Sequence, residues 1–293
     1  MKKVLVTGGS GFLGSHLISE LIKNDKEVIV FDNGFRQGFS NISSFNNNVT
    51  LVKGDVTKKE DWELLPKDVD FVFHLAAING TKYFYEIPDK VIKVNVLGTM
   101  NFVDWLQNTS VKRFFFASSS EVYGKPRVFP TPETESLQIP DPNNPRYSYS
   151  SSKIMGETIT INFAKSYGID FSIARIHNAY GPQMGLEHVM PEFIRKCVKE
   201  ESFTVQGDGK ESRCFCYVTD IINAIILIST HPEGRNEIFN IGNPTETSIN
   251  ELIKLLEKIQ GKEIKPIYEP FPKAGTNRRV PDLNKISKLG YKP

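Results

Sequence analysis

An α/β fold built on a doubly wound parallel sheet is what this sequence predicts, and three observations carry that expectation. Short apolar runs recur through the first 176 residues, with segments of helical spacing between them. The runs are continuously apolar instead of alternating, which suits strands buried on both faces. The first run leads directly into a glycine-rich turn that opens a helical segment.

Taken in order, the expected strands are Val4-Leu5-Val6, Val28 to Phe31, Val49 to Val52, Phe71 to Leu75, Phe114 to Ala117 and Phe171 to Ile176. Helices are expected over Gly14 to Lys23, Pro88 to Gln107 and about Tyr147 to Tyr167, the last ending with Lys165 in its final turn and Gly168 as its C-terminal cap. After residue 176 the pattern loosens, divided by Gly181-Pro182, Gly207-Asp208-Gly209 and Asn243-Pro244. The expected organisation is a dinucleotide-binding domain over 1–176 and a smaller C-terminal substrate-binding domain over 177–293, the two interleaved near an approximate boundary.

Composition narrows the function classes. The chain has 293 residues, 39% hydrophobic and 24% charged, the balance of an ordinary globular enzyme. A formal charge of +2, with no basic block beyond Lys2-Lys3 and Arg278-Arg279, argues against a nucleic-acid partner. Ile221 to Ile228, the longest strongly apolar run, is far short of the ~20 residues of a bilayer span, so no membrane association is expected. Cys197, Cys214 and Cys216 are odd in number and suit reduced thiols and a cytoplasmic location. The five histidines form no ligand-spaced pair and the cysteines have no partners at finger spacing, so no metal is expected; Cys214 and Cys216 read as buried apolar groups.

The first turn reads Thr7-Gly8-Gly9-Ser10-Gly11-Phe12-Leu13-Gly14. Glycines at 8, 11 and 14 permit a tight turn and a close backbone approach to a pyrophosphate seated on the helix N-terminus, the mark of a Rossmann-type domain. Asp32 ends the second strand 18 residues after Gly14, where a carboxylate accepts from ribose hydroxyls and repels a 2′-phosphate. NAD is therefore expected over NADP. A phosphate loop would need Lys-Ser/Thr after Gly14, whereas Ser15-His16 follows; a hydrolase elbow is excluded because Ser10 is followed by Gly11-Phe12.

Tyr149-Ser150-Ser151-Ser152-Lys153 puts a phenol and an ammonium one turn apart on one helix face. Lys153 and a positive nicotinamide are expected to lower the phenol's pKa, so that Tyr149 can remove a hydroxyl proton. Upstream, Phe114-Phe115-Phe116-Ala117 runs into Ser118-Ser119-Ser120-Glu121-Val122-Tyr123-Gly124, and the carboxyl end of such a strand is where open α/β sheets bind ligands.

With these motifs in hand, the chain resembles the extended short-chain dehydrogenase/reductases of the nucleotide-sugar epimerase/dehydratase family. The resemblance runs from Lys3 to about Tyr291 through Thr7–Gly14, Asp32-Asn33, Gly54-Asp55-Val56, His74–Ala77, Asn95, Ser118–Gly124, Tyr149–Lys153 and Asn178–Pro182. It implies Tyr149 as acid/base, Lys153 on the nicotinamide ribose and Ser119 on the sugar C4 oxygen, with Ser120 and Glu121 beside them. It implies cofactor contacts from Gly8, Gly11, Phe12, Leu13, Gly14, Asp32 and Asn33, from Asp55 and Val56 flanking the adenine, and from Leu75, Ala76, Ala77 and Asn95 lining the groove. Asn178, Val189, Arg213 and Arg279 fall on the substrate side, where arginine's donor fork suits phosphate; the residues alone also allow Arg213 an ion pair with Glu211 or Asp208. A homodimer is implied as well.

Three chemistries of that family begin with C4 oxidation by NAD. A 4,6-dehydratase resembles Thr-Asp-Glu where this chain has Ser119-Ser120-Glu121, so one acid is missing here. UDP-glucuronate decarboxylases resemble Thr-Ser-Glu, and Tyr83-Phe84-Tyr85-Glu86-Ile87-Pro88 is similar to theirs. Their loop after Gly-Pro carries an arginine, absent from Gln183-Met184-Gly185-Leu186-Glu187-His188. A 4-epimerase of a UDP-sugar needs only oxidation, a turn of the keto-sugar and hydride return, and this is the expected function. Decarboxylase and 4,6-dehydratase are the alternatives, and a non-catalytic NAD-sensing protein on the same fold is a more distant one.

Overall fold

The computed structural model describes residues 1–45, 48–199, 201–270 and 275–293. β1 (Lys3–Thr7), β2 (Glu27–Asp32), β3 (Val49–Lys53), β4 (Phe71–His74), β5 (Arg113–Ser119) and β6 (Asp170–Ile176) coincide with the six expected runs. With a seventh strand, Glu237–Ile241, they form one sheet in the order Glu237–Ile241, β6, β5, β4, β1, β2, β3, parallel throughout.

Alternation along each strand feeds two cores. Val4 and Val6 of β1 face Leu17, Ile18 and Leu21 of α1 (Phe12–Lys23), together with Ile221, Ile225 and Ile228 of the helix Val218–Thr230. Leu5 turns to the other face, among Trp62, Phe102, Trp105 and Ile159. The doubly wound α/β sheet of Rossmann type is thus the observed fold, and the apolar run Ile221 to Ile228 is one of its covering helices. Among the described residues no helix is long and apolar enough to cross a membrane.

Two expectations change in detail. The helix expected from Pro88 to Gln107 is three consecutive pieces: Pro88–Ile92, a π-helical turn Lys93–Leu97, and Gly98–Leu106. At Gly98 a Cβ would stand 2.7 Å from the Val56 side chain, so the helix can lie this close to the wall only with glycine. The seventh strand escaped the sequence reading because its apolar run is only Ile238-Phe239 before the polar Asn240 interrupts it. Asn240 is fully buried, donating to the Thr131 and Asp282 carbonyls and accepting from the Tyr123 hydroxyl.

In the C-terminal part, the helices Val189–Lys199 and Ile249–Gln260 close a separate cluster of Phe193, Phe203, Val205, Leu252, Ile253 and Leu256. Strand order reverses between β1 and β4, which opens a crevice at the carboxyl ends of these strands.

Candidate active site

That crevice is a cavity of about 390 Å³, within the range of small-molecule sites. Its floor is the glycine turn. Gly8 has φ +71°, and a Cβ there would meet the Ala76 backbone at 2.7 Å; a Cβ at Gly14 would meet the Gly8 carbonyl oxygen at 2.3 Å. Gly11 sits at the N-terminus of α1, which no side chain caps and whose first turn holds no acidic residue. Free N–H groups and the positive end of the helix therefore face the cleft. Asp32, ending β2, accepts from the Ser10 N–H at 3.0 Å and the Gly34 N–H at 2.8 Å, which ties the glycine turn to the second strand and leaves lone pairs for a ribose. These features fit a dinucleotide with an unphosphorylated ribose. Phe12, Leu13, Asn33, Asp55, Val56, Leu75, Ala76 and Ala77 line the same cavity. Asn95 does not: it lies behind the wall, accepting from Ile78 N–H at 2.8 Å and donating to Ser152 at 2.9 Å, so it shapes the groove from outside.

The other half of the cavity is built by the end of β5 and the helix Ser148–Tyr167, which bring Ser118, Ser119, Ser120, Glu121, Tyr149 and Lys153 together. Tyr149 is buried, its ring stacked on Phe84 with centroids 4.9 Å apart and planes 14° off parallel. Lys153 donates to the Ala117 carbonyl at 2.7 Å, and its ammonium is 5.7 Å from the Tyr149 ring centroid. This alters one expectation. Burial pushes the Tyr149 phenol well above its ordinary range, and the interaction with Ser119 offsets only part of that. Lys153 itself is pushed down to about 8 by burial, with Glu157 acting the other way.

Beyond the serines lies a cationic cluster. Glu121 accepts from Arg279 and lies 3.7 Å from Arg146. Burial raises the Glu121 pKa, but the Arg279 and Arg146 charges outweigh it and hold the carboxyl at about 2. Arg279, Asn178 and Val189 line the cavity; Arg279 Nε and Asn178 Nδ2 are buried with no partner among the described residues, donors suited to an anionic ligand. Arg213 stands back from the cavity lining. It donates to the carbonyls of Ser212 at 2.7 Å and Thr276 at 2.6 Å, so neither ion pair the sequence allowed is what holds it, and Asp208 pairs with Lys210 instead. Cys214 and Cys216 are buried, free thiols.

Sequence reasoning missed two groups and the contacts of a third. Arg146 stands three residues before Tyr149, a spacing that could have flagged it. Glu157, one turn beyond Lys153, pairs with Arg175 beneath the serines. The segment 181–188 crosses the cleft: Gln183 accepts from Ser15 at 2.9 Å, the Pro182 carbonyl meets His16 at 3.0 Å, and Glu187 pairs with Arg36 at 3.2 Å. Contacts over such sequence separation leave no local trace.

A glycine-cradled dinucleotide cleft joined to a tyrosine–lysine helix defines the class of protein, a nicotinamide-dependent enzyme of Rossmann type. The sequence model of the NAD dependent epimerase/dehydratase family matches residues 4–242, and the chain belongs to that family. It is 34% identical over 298 residues to UDP-glucuronic acid decarboxylase 3 of Arabidopsis thaliana, covering 99% of this chain and 84% of the relative. Its structure is similar to that of the UDP-glucose 4-epimerase of Thermotoga maritima solved with UDP-glucose (TM-score 0.90, 33% identity, 99% and 93% of the two chains). It is also similar to a mutant UDP-glucuronic acid 4-epimerase of Bacillus cereus, solved with NAD and a fluorinated UDP-glucuronic acid (TM-score 0.90, 27% identity, 99% and 94%). The family resemblance, the fold and NAD as cofactor are thereby borne out. The chain is an enzyme of the nucleotide-sugar epimerase and decarboxylase family.

Proposed function

We propose that this enzyme is a UDP-sugar 4-epimerase: the ionised state of Glu121 speaks against the 4,6-dehydratase, and the lack of an arginine in Gln183-Met184-Gly185-Leu186-Glu187-His188 against the decarboxylase. Beside Ser119 the Glu121 carboxyl is held ionised by Arg279 and Arg146, at a pKa of about 2, and so cannot lend a proton to an elimination. Tyr149, stacked on Phe84, is then the acid/base: it accepts the C4 hydroxyl proton, and Ser119 holds the same oxygen. When bound, NAD supplies an acceptor for the C4 hydride and, in its oxidised form, a positive charge beside the phenol that counters burial. Lys153 holds the nicotinamide ribose. Asn178 and Arg279 bind the diphosphate with their free donors, the Arg213 charge adds to the positive field there, and Val189 packs on the substrate. On reduction of the turned keto-sugar from its opposite face, Tyr149 would return its proton to the C4 oxygen, and the net change would be inversion.

A second reading, decarboxylation of a UDP-glucuronate, draws support from the guanidinium groups of Arg146, Arg213 and Arg279 around Glu121, and from the curated relative. Incubation with UDP-glucose, UDP-glucuronate and their N-acetylated relatives, followed by mass spectrometry and isomer separation, divides the two. Isomerisation at constant mass is the expected result; a product lighter by carbon dioxide transfers the function to the second reading.

The same reading carries a homodimer, an NAD-binding domain over 1–176 and a substrate-binding part over 177–293 that are interleaved, since Val218–Thr230 and Glu237–Ile241 return to the central sheet, and a cytoplasmic setting. Exposed Ile92, Leu97 and Met155 on the helices flanking Tyr149 support the dimer, and the separate C-terminal cluster supports the division. Light scattering at the mass of a single chain would count against the dimer.

A further inference from the structure

Beneath the serines lies a polar network that the proposed chemistry does not use. Glu157, 2% exposed, takes two hydrogen bonds from Arg175, Nε at 3.0 Å and Nη2 at 2.8 Å. Its Oε1 also accepts from the Ser118 hydroxyl at 2.5 Å. Arg175 continues the chain of contacts, donating to the Tyr123 hydroxyl at 3.0 Å and the Glu133 carbonyl at 2.8 Å. One turn earlier on the same helix face, Lys153 donates to the Ala117 carbonyl.

The end of β5 is therefore gripped twice in succession, at Ala117 by Lys153 and at Ser118 by Glu157. The next residue is Ser119. A buried ion pair adds little net stability over an apolar filling, so its presence here calls for another account. We propose that Glu157 is a positioning residue: through Ser118 and Arg175 it fixes Ser119 against the helix face that carries Tyr149 and Lys153.

The charges around Lys153 agree with this arrangement. From its own helix it faces Tyr149 and Glu157; from β4 it faces His74, which burial and the Lys153 charge hold neutral, with a pKa of about 3. From β5 it faces the Ala117 carbonyl and the Phe116 ring, 5.1 Å away. Arg175, on β6, lies on the far side of Glu157. Glu157 is the group that favours the ammonium against burial.

The inference rests on reading Tyr149 and Lys153 as the reacting pair, so Tyr149→Phe is measured alongside; full turnover in that variant sinks the pair itself, whatever Glu157 does. The test titrates ¹³C-labelled lysine by NMR in the NAD-bound enzyme, which reports Lys153 without any sugar. Glu157→Gln is expected to lower the Lys153 midpoint by at least about half a pH unit. Should that variant fail to fold, Glu157→Gln with Arg175→Gln removes both charges and is expected to lower it in the same direction but by less, since loss of the Arg175 charge acts the other way. Ser118→Ala is expected to leave the midpoint in place and reduce kcat about tenfold at unchanged KM. An unmoved midpoint on loss of Glu157, or wild-type kcat in Ser118→Ala, overturns the proposal.

Discussion

Tyr149 carries opposite demands in one side chain. Stacking on Phe84 and burial fix the ring and favour the neutral phenol, while proton removal needs the phenolate. Tyr149→Phe keeps the ring, the stack and the packing and deletes only the hydroxyl. The variant should fold, bind NAD as wild type does, and lose at least about a hundredfold in turnover. Calorimetry with NAD beside a turnover assay separates the two effects; equal losses of binding and rate would mean that the hydroxyl serves the cofactor pocket instead. The residues legible in the sequence were those whose motif spacing is local: Gly8, Gly11 and Gly14 in one turn, Tyr149 and Lys153 on one helix. Asn95 and Arg213 sit where the motifs expect them along the chain, yet their side chains turn to the backbone of Ile78, Ser212 and Thr276. A sequence gives a residue's position in an element but not the partner its side chain finds.

At the scale of elements, the segment 181–188 is a strap across the cofactor cleft. One end is held on α1 through Ser15 and His16, the other by Glu187 on Arg36, whose guanidinium also stacks over Tyr83 at 5.2 Å. Both members of the Glu187–Arg36 pair are about a fifth exposed, so the pair contributes on the order of 1 kcal/mol. Glu187→Ala should speed NAD release by roughly fivefold with little effect on global stability. Retention of radiolabelled NAD on a filter after dilution reads the rate, and an unchanged rate would leave the strap without a role in cofactor retention. Six of the seven sheet strands could be read from apolar runs, which strands buried on both faces show most strongly and the edge strand β3 still shows in Val49, Leu51 and Val52. The seventh could not: its apolar run is broken by Asn240, which is satisfied by groups at 123, 131 and 282 that no window on the sequence connects.

For the molecule as a whole, acid is the sensitive direction. His74 contacts the Thr7 hydroxyl at 2.9 Å, and His177 donates to Asn240 at 3.3 Å; burial holds both pKa values at about 3, against 6.5 in the unfolded chain. Below pH 6.5 the unfolded chain takes up protons that the fold refuses, so stability is full above that value and falls as pH drops toward 3. Between pH 7.5 and 5.5 each of the two removes about 1.4 kcal/mol, about 3 kcal/mol together, and His188, which burial holds at about 4, adds to the loss in the same direction. Glu121 adds to the loss only below its ordinary 4.5, as pH falls toward about 2. Urea midpoints measured across pH 7.5 to 5.5 should decline accordingly; a flat series would mean that these imidazoles are protonated in the fold.

The seventh strand also sets a timetable for synthesis. When β6 has been made, its outer edge is bare until Ile241 follows 65 residues later, and one face of the sheet waits for Ile221 to Ile228 to cover it. At bacterial to eukaryotic translation speeds that interval lasts roughly 3–13 s. Through it the nascent chain offers an unpaired strand edge and an uncovered apolar face, both templates for association with a neighbour. Ribosomes stalled between these two points should release chains that sediment with aggregates, whereas chains released past Ile241 carry the strand that closes their own sheet.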